Sequence, residues 1–140
     1  MTQISFYTLP SAAPEQRLHF ICRLTDKAYS LGYRVHIHTE SNEQAKTLDD
    51  LLWQFKATSF IPHRLSGEKA DAEEAVTVGT ELPTKQGGVL INLTSQACQA
   101  HDKYARINEI ISADDVSLER GRKHYRFYKS QGYQVETFKL

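Results

Sequence analysis

The sequence predicts a three-layer α/β domain on a mostly parallel central sheet, and three observations carry that prediction. Short runs rich in β-branched and aromatic residues alternate with longer amphipathic runs along the whole chain. The first two strand-like runs are joined by a helix-length segment, and a β-α-β pattern requires parallel strands. The run GVLINL (Gly88–Leu93) is almost continuously apolar, as expected at the centre of a parallel sheet. At 140 residues, with no repeat or linker, the chain is read as one domain, 1–140.

Gln3–Leu9 has strand composition and stops at Pro10. Pro14 suits a first helical turn, and the helix from Glu15 to about Leu31 carries a broad apolar sector through Phe20, Leu24, Leu31, Ala28 and Ile21, and round to Leu18, Cys22 and Tyr29. Gly32 is placed to end it. Tyr33–Thr39 alternates as a second strand. Ser41 to Gln44 reads as a capping box opening a helix whose stripe is Ala45, Leu48, Leu51, Leu52 and Phe55. Trp53 lies roughly 100° from the centre of that stripe, so the one tryptophan is expected to point away from the core.

Thr58–His63 is a short extended piece broken by Pro62. Leu65–Gly88 reads as a long loop or edge excursion, strand-like only at Ala75–Val78. Ser95–Ala105 reads as a polar helix and Arg106–Ile111 as a strand or helix start. A basic helix covers 114–131, and Gln134–Lys139 is a final edge strand.

Seventeen basic and seventeen acidic residues cancel, so no global field holds nucleic acid, and anion binding requires a local patch. Cys22 and Cys98 lack CxxC spacing and have small or apolar neighbours, the pattern of buried free thiols in a reducing cytoplasm. The N-terminus lacks a basic region followed by an apolar core, and no run approaches membrane-spanning length, so neither a secretion signal nor a membrane segment is expected.

Chemistry is sparse. The turn after the first strand, LPSAAPE, has no glycine, and neither GxGxxG nor GxxxxGK occurs, which argues against a phosphate-cradling loop. His36 and His38 share one strand face, but no third metal ligand has recognisable spacing. Cys98 and His101 have helical spacing, but nothing in the pattern supplies an orienting group or an oxyanion hole. No catalytic residue, metal or cofactor is expected.

The basic helix stands out instead. Arg122, Arg126 and Lys129 fall within a sector of roughly 60° at roughly 100° per residue, beside a strip of Leu118, Gly121, Tyr125 and Tyr128. A cationic ridge next to an aromatic strip suits a ligand both anionic and hydrophobic. Glycine inside a helix costs about 1 kcal/mol relative to alanine, and close approach of another chain is the reason expected for Gly121. A solvated charged face that simply opposes the helix dipole is the plain alternative.

The opening ISFYTL, the block LLWQFKATSFIPHRLSGE, the strand VLINL and the tail RGRKHYRFYKSQGYQVETFKL together resemble the chi subunits of bacterial DNA polymerase III holoenzyme. The similarity runs in register from first strand to last and is loosest across Ala70–Gln86. It implies a Rossmann-like fold without nucleotide, no catalysis of its own, and an accessory role. It also implies attachment to the clamp loader through a small psi subunit and binding of the acidic C-terminal tail of single-stranded DNA-binding protein. DNA is then touched only indirectly. By position, the tail site falls on Arg122, Tyr125 and Arg126, with Leu118, Gly121 and Tyr128 alongside; the psi contact falls on Trp53, Phe60 and Pro62. At Arg126 the family often has Lys, which keeps the charge and changes its geometry. Two further readings stand beside this one. Direct binding of single-stranded nucleic acid by the basic, tyrosine-bearing helix is opposed by the zero net charge. A small enzyme using His36 and His38 would need a metal.

Overall fold

The computed structural model describes residues 2–55, 75–82 and 87–140, and the backbone of 63–65. In chain order the elements are β1 (Gln3–Thr8), α1 (Pro14–Ser30), β2 (Val35–His38), α2 (Asn42–Gln54) and β3 (His63–Leu65). They continue with β4 (Val76–Gly79), β5 (Val89–Asn92), β6 (Arg106–Ile111), α3 (Asp115–Ser130) and β7 (Val135–Lys139). The strands form one sheet in the order β3-β4-β2-β5-β6-β1-β7, and every pairing is parallel.

Local signals explain the helices. Pro14 opens α1, where its missing N–H costs nothing, and Gly32 closes it with φ 89° and its N–H on Tyr29 O at 2.9 Å. Ser41 Oγ accepts from Gln44 N at 3.1 Å, while Gln44 Oε1 accepts from Glu40 N at 2.9 Å, closing the start of α2. Asp114 caps α3 by accepting from Ser117 N at 3.0 Å.

Two cores flank the sheet. Ile21, Cys22 and Ala28 of α1 and Ala45, Leu48 and Leu52 of α2 pack with Val35, Ile37, Val78, Ile91 and Ile110 on one face. Tyr128 of α3, with Cys98 and Tyr104 of the β5–β6 connection, packs with Ile4, Phe6, Leu90, Ile107 and Ile111 on the other. Each fully buried Leu or Ile contributes about 1.5–3 kcal/mol by leaving water, so both helical layers are held mainly by apolar burial.

The three-layer parallel architecture agrees with the sequence reading, including β5 at the sheet centre and β7 at an edge. Two local expectations fail. Ser95–Ala105 contains one 3-10 turn, His101–Lys103, in place of a helix. Side chains there compete with the helical pattern: Thr94 Oγ1 donates to Gln96 O at 2.8 Å, and Asn92 Nδ2 donates to the same carbonyl at 2.9 Å. The strand-like piece at Ala75–Val78 is neither loop nor edge. It becomes β4, buried along its length between β3 and β2, because Val76 and Val78 join the core under α1 and α2 while neighbouring strands pair both of its edges.

Candidate interaction site

The inward stripe of α3 is Gly121, His124 and Tyr128, all buried. Gly121 lets the helix settle on the sheet: a Cβ there would stand 2.9 Å from Ile111 Cδ1. The close neighbour of that Cβ is this chain's own β6, which gives the glycine a reason within the fold besides the expected approach of another chain. Beside that contact, between α3 and strands β1 and β7, a groove of about 280 Å³ opens. Leu118, Gly121, Arg122, Tyr125 and Arg126 line it from the helix, and Phe6, Thr8, Ile111 and Thr137 from the sheet. Arg122 and Arg126 stand one turn apart and are exposed, while Tyr125 meets Phe6 edge-on at 5.8 Å. An apolar floor thus lies against two guanidinium groups, which can grip carboxylates through paired N–H donors.

Five of the six residues expected at this site border the groove. Tyr128 does not. It is fully buried, and its hydroxyl donates to Glu109 Oε2 at 2.8 Å while accepting from Cys98 N at 3.0 Å. Its ring belongs to the inward stripe because positions 121, 124 and 128 share one helix face, while Tyr125 sits at that face's margin. Phe6, Thr8, Ile111 and Thr137 were missed, since three other strands bring them. Alternation puts Phe6 and Thr8 on the face opposite Tyr7, but only the register Phe6↔Thr137 and Thr8↔Lys139 shows that β7 joins them.

Beneath the helix lies a buried polar cluster that sequence reasoning also missed. Glu109 accepts from His124 Nδ1 at 2.8 Å, from Tyr128 Oη at 2.8 Å and from Asn92 Nδ2 at 2.8 Å. His124 Nε2 lies 3.0 Å from the Ser95 carbonyl. Burial disfavours the His124 imidazolium, but the hydrogen bond and charge of Glu109 outweigh it and raise the pKa above the ordinary histidine value. Burial also drives the Tyr128 hydroxyl far above its usual range.

His36 and His38 do share a face. His36 is buried with Nδ1 2.7 Å from Thr77 Oγ1 and Nε2 3.3 Å from His38 Nδ1. Burial, with His38 beside it, pushes its pKa down to about 3, so it sits in the sheet as a neutral ring. Among the described residues no group of three or more His, Cys, Asp or Glu could hold a metal ion. Cys22 and Cys98 are buried free thiols, each raised to about 11 by burial. Trp53 projects from α2 with 54% of its surface exposed, to the side of the buried stripe of Ala45, Leu48 and Leu52. Phe60 and Pro62 lie outside the described residues. None of the helices among the described residues is long and apolar enough to cross a membrane.

The family model for "DNA polymerase III chi subunit, HolC" matches residues 1–136. The chain belongs to the DNA polymerase III chi subunit family. Members of this family are replication accessory subunits of the polymerase III holoenzyme. The chi subunit of Pseudomonas aeruginosa is 37% identical over 140 residues, covering 100% of this chain and 98% of that protein. The Haemophilus influenzae chi subunit is 26% identical over 134 residues, covering 94% of this chain and 93% of its own length. That of Escherichia coli is 24% identical over 143 residues, covering 98% and 97%. Similarity to chi subunits therefore spans both faces of the sheet and the whole of α3.

Proposed function

We propose that this chi-family chain is a non-catalytic cytoplasmic adaptor that binds the acidic C-terminal tail of single-stranded DNA-binding protein in the α3 groove. The observation that carries the reading is an apolar groove bordered by Arg122 and Arg126, in a protein with no net charge. A tail ending in acidic residues and a phenylalanine needs a pocket for its ring and donors for its carboxylates. Phe6, Ile111, Leu118 and Tyr125 supply the first and the two arginines the second. Trp53, exposed on α2, marks the separate surface through which a psi subunit would tether the chain to the clamp loader. Phe60 and Pro62 complete that assignment by sequence position. DNA is then reached through the binding protein.

Titration of the full chain with a free acidic, phenylalanine-terminated peptide tests the reading. The expected affinity is low micromolar, about −8 kcal/mol, and weaker at higher salt. Arg122→Glu with Arg126→Glu is expected to abolish it. Equal binding by that double variant rules the groove out as the tail site. Binding of a bare single-stranded oligonucleotide at similar strength would favour direct nucleic-acid recognition instead.

A further inference from the structure

The groove occupies one side of the seat of α3; the other side is held by the buried cluster at Glu109. His124 is enclosed there by two acceptors, Glu109 Oε1 at 2.8 Å from Nδ1 and the Ser95 carbonyl at 3.0 Å from Nε2. A neutral imidazole carries one N–H and can donate to only one of them. Its other nitrogen would then turn a lone pair toward an oxygen lone pair, in a site only 3% exposed. The imidazolium donates to both.

The remaining charged and titratable groups around the ring have other tasks. On α3 itself, Arg120 opposes the imidazolium charge, and Tyr128 donates to the second oxygen of Glu109. From β5 and its following connection, Asn92 also donates to that oxygen, while Cys98 gives only its backbone N–H, to Tyr128. Glu40, after β2, accepts from Ser95 N at 3.3 Å, and Arg17 of α1 lies within electrostatic reach of Glu109 and Arg120. Glu109 is thus the anion in direct contact with His124.

We propose that His124 and Glu109 are positioning residues for the groove: protonated His124 clamps α3 between β6 and the β5–β6 connection, and loss of that proton weakens tail binding. This inference rests on the groove being the tail site. The linkage is short. Tyr125, the next residue after His124, overhangs the groove against Phe6, and Gly121, one turn earlier, rests on Ile111 at its floor. Any roll of α3 that separates the His124 nitrogen from an opposing oxygen therefore moves Tyr125, Arg122 and Arg126 against Phe6 and Thr137.

The test uses the full chain, an N-acetylated acidic peptide ending in phenylalanine, and affinities measured between about pH 6 and pH 9, where neither the arginines nor the peptide carboxylates titrate. Nitrogen-15 spectra of the imidazole rings, recorded in parallel, report the protonation of His124 directly. Both of its ring nitrogens are expected to carry protons at neutral pH. Affinity is expected to fall several-fold as pH passes its titration midpoint. His124→Gln should give a flat profile at the weaker, high-pH affinity. His124→Arg, a permanent cation with donors for both oxygens, should give a flat profile at the tighter one. A neutral His124 ring at neutral pH overturns the proposal, as does a wild-type affinity unchanged through the titration of that ring. The same pH profile in His124→Gln also overturns it, by assigning the dependence to another histidine. Absence of peptide binding at every pH removes the groove reading itself, an outcome distinct from tight but pH-independent binding.

Discussion

Arg122 and Glu119 are ion-paired on α3, with Nη1 3.1 Å from Oε2 and both side chains more than half exposed, whereas Arg126 holds no such partner among the described residues. The groove's two cations are therefore unequal: one is already shared with an internal carboxylate, the other is available.

That asymmetry predicts the effect of Glu119→Gln. An exposed i,i+3 pair contributes only about 0.3–0.5 kcal/mol, so stability should hardly change. Any acidic ligand of the groove has to displace Glu119 from Arg122, and removing the competitor should tighten peptide binding by about twofold. Calorimetric titration of wild type and variant with the same peptide reads this directly. Weaker binding by Glu119→Gln would mean that the pair orients Arg122 for its ligand.

Gly121 and Ile111 make a second testable contact. Alanine at 121 gains about 1 kcal/mol of helix propensity but brings a methyl to 2.9 Å from Ile111 Cδ1 and 3.3 Å from Cγ1. The Cδ1 end of Ile111 can rotate aside, so Gly121→Ala should leave the denaturation midpoint nearly unchanged. The displaced Cδ1 enters the groove floor, and peptide affinity should fall. Gly121→Val adds branches that no rotation of Ile111 relieves, and should destabilise by about 1–3 kcal/mol through overpacking. Urea denaturation separates the two variants.

The layers of this fold were legible because each rests on a short-range signal. Pro14 and Gly32 bracket α1, Ser41 and Gln44 open α2, and the apolar run at Val89–Asn92 could only be central. The groove was half legible. Helical spacing gathers Leu118, Gly121, Arg122, Tyr125 and Arg126 from one element, but Phe6, Thr8, Ile111 and Thr137 come from three strands whose order no local pattern encodes. Tyr128 was misplaced for a related reason. Tyr125 at the margin of the inward stripe and Tyr128 within it look alike in sequence, and the deciding partner of Tyr128, Glu109, lies on β6. A glutamate within RINEII carries no local sign of the His124, Tyr128 and Asn92 donors that surround it in the fold.

Tyr128→Phe tests how much that cluster holds. The change keeps the ring in the core but deletes the hydroxyl that donates to Glu109 and accepts from Cys98 N. A buried N–H is left unpaired and a buried carboxylate loses one of three donors, a loss of about 1–3 kcal/mol. Glu109 keeps its bonds from His124 and Asn92, so the cooperative unfolding transition should survive at a lower midpoint. A midpoint equal to wild type would mean that water replaces the hydroxyl.

Stability should also depend on pH from both sides, through two buried histidines of opposite behaviour. The folded-state pKa of His36 is pushed down to about 3 by burial and by His38, and that of His38 is lowered too, mainly by burial. Below about pH 6.5 the unfolded chain binds protons that the folded chain refuses, so stability falls as pH drops from there toward 3. The loss should begin before carboxylates such as Glu40, held below its usual range by its hydrogen bond to Ser95, start to protonate. His124 acts in the other direction. Its folded pKa is raised, so its contribution is complete below the unfolded value of about 6.5 and is lost as pH rises through the folded value. The curve of urea midpoint against pH should therefore peak near the ordinary histidine pKa. His124→Gln should flatten the alkaline limb alone, and His36→Gln should make the part of the acid limb above about pH 4.5 shallower, leaving the share that His38 contributes. An alkaline limb unchanged by His124→Gln would show that the proton on His124 contributes nothing to holding α3.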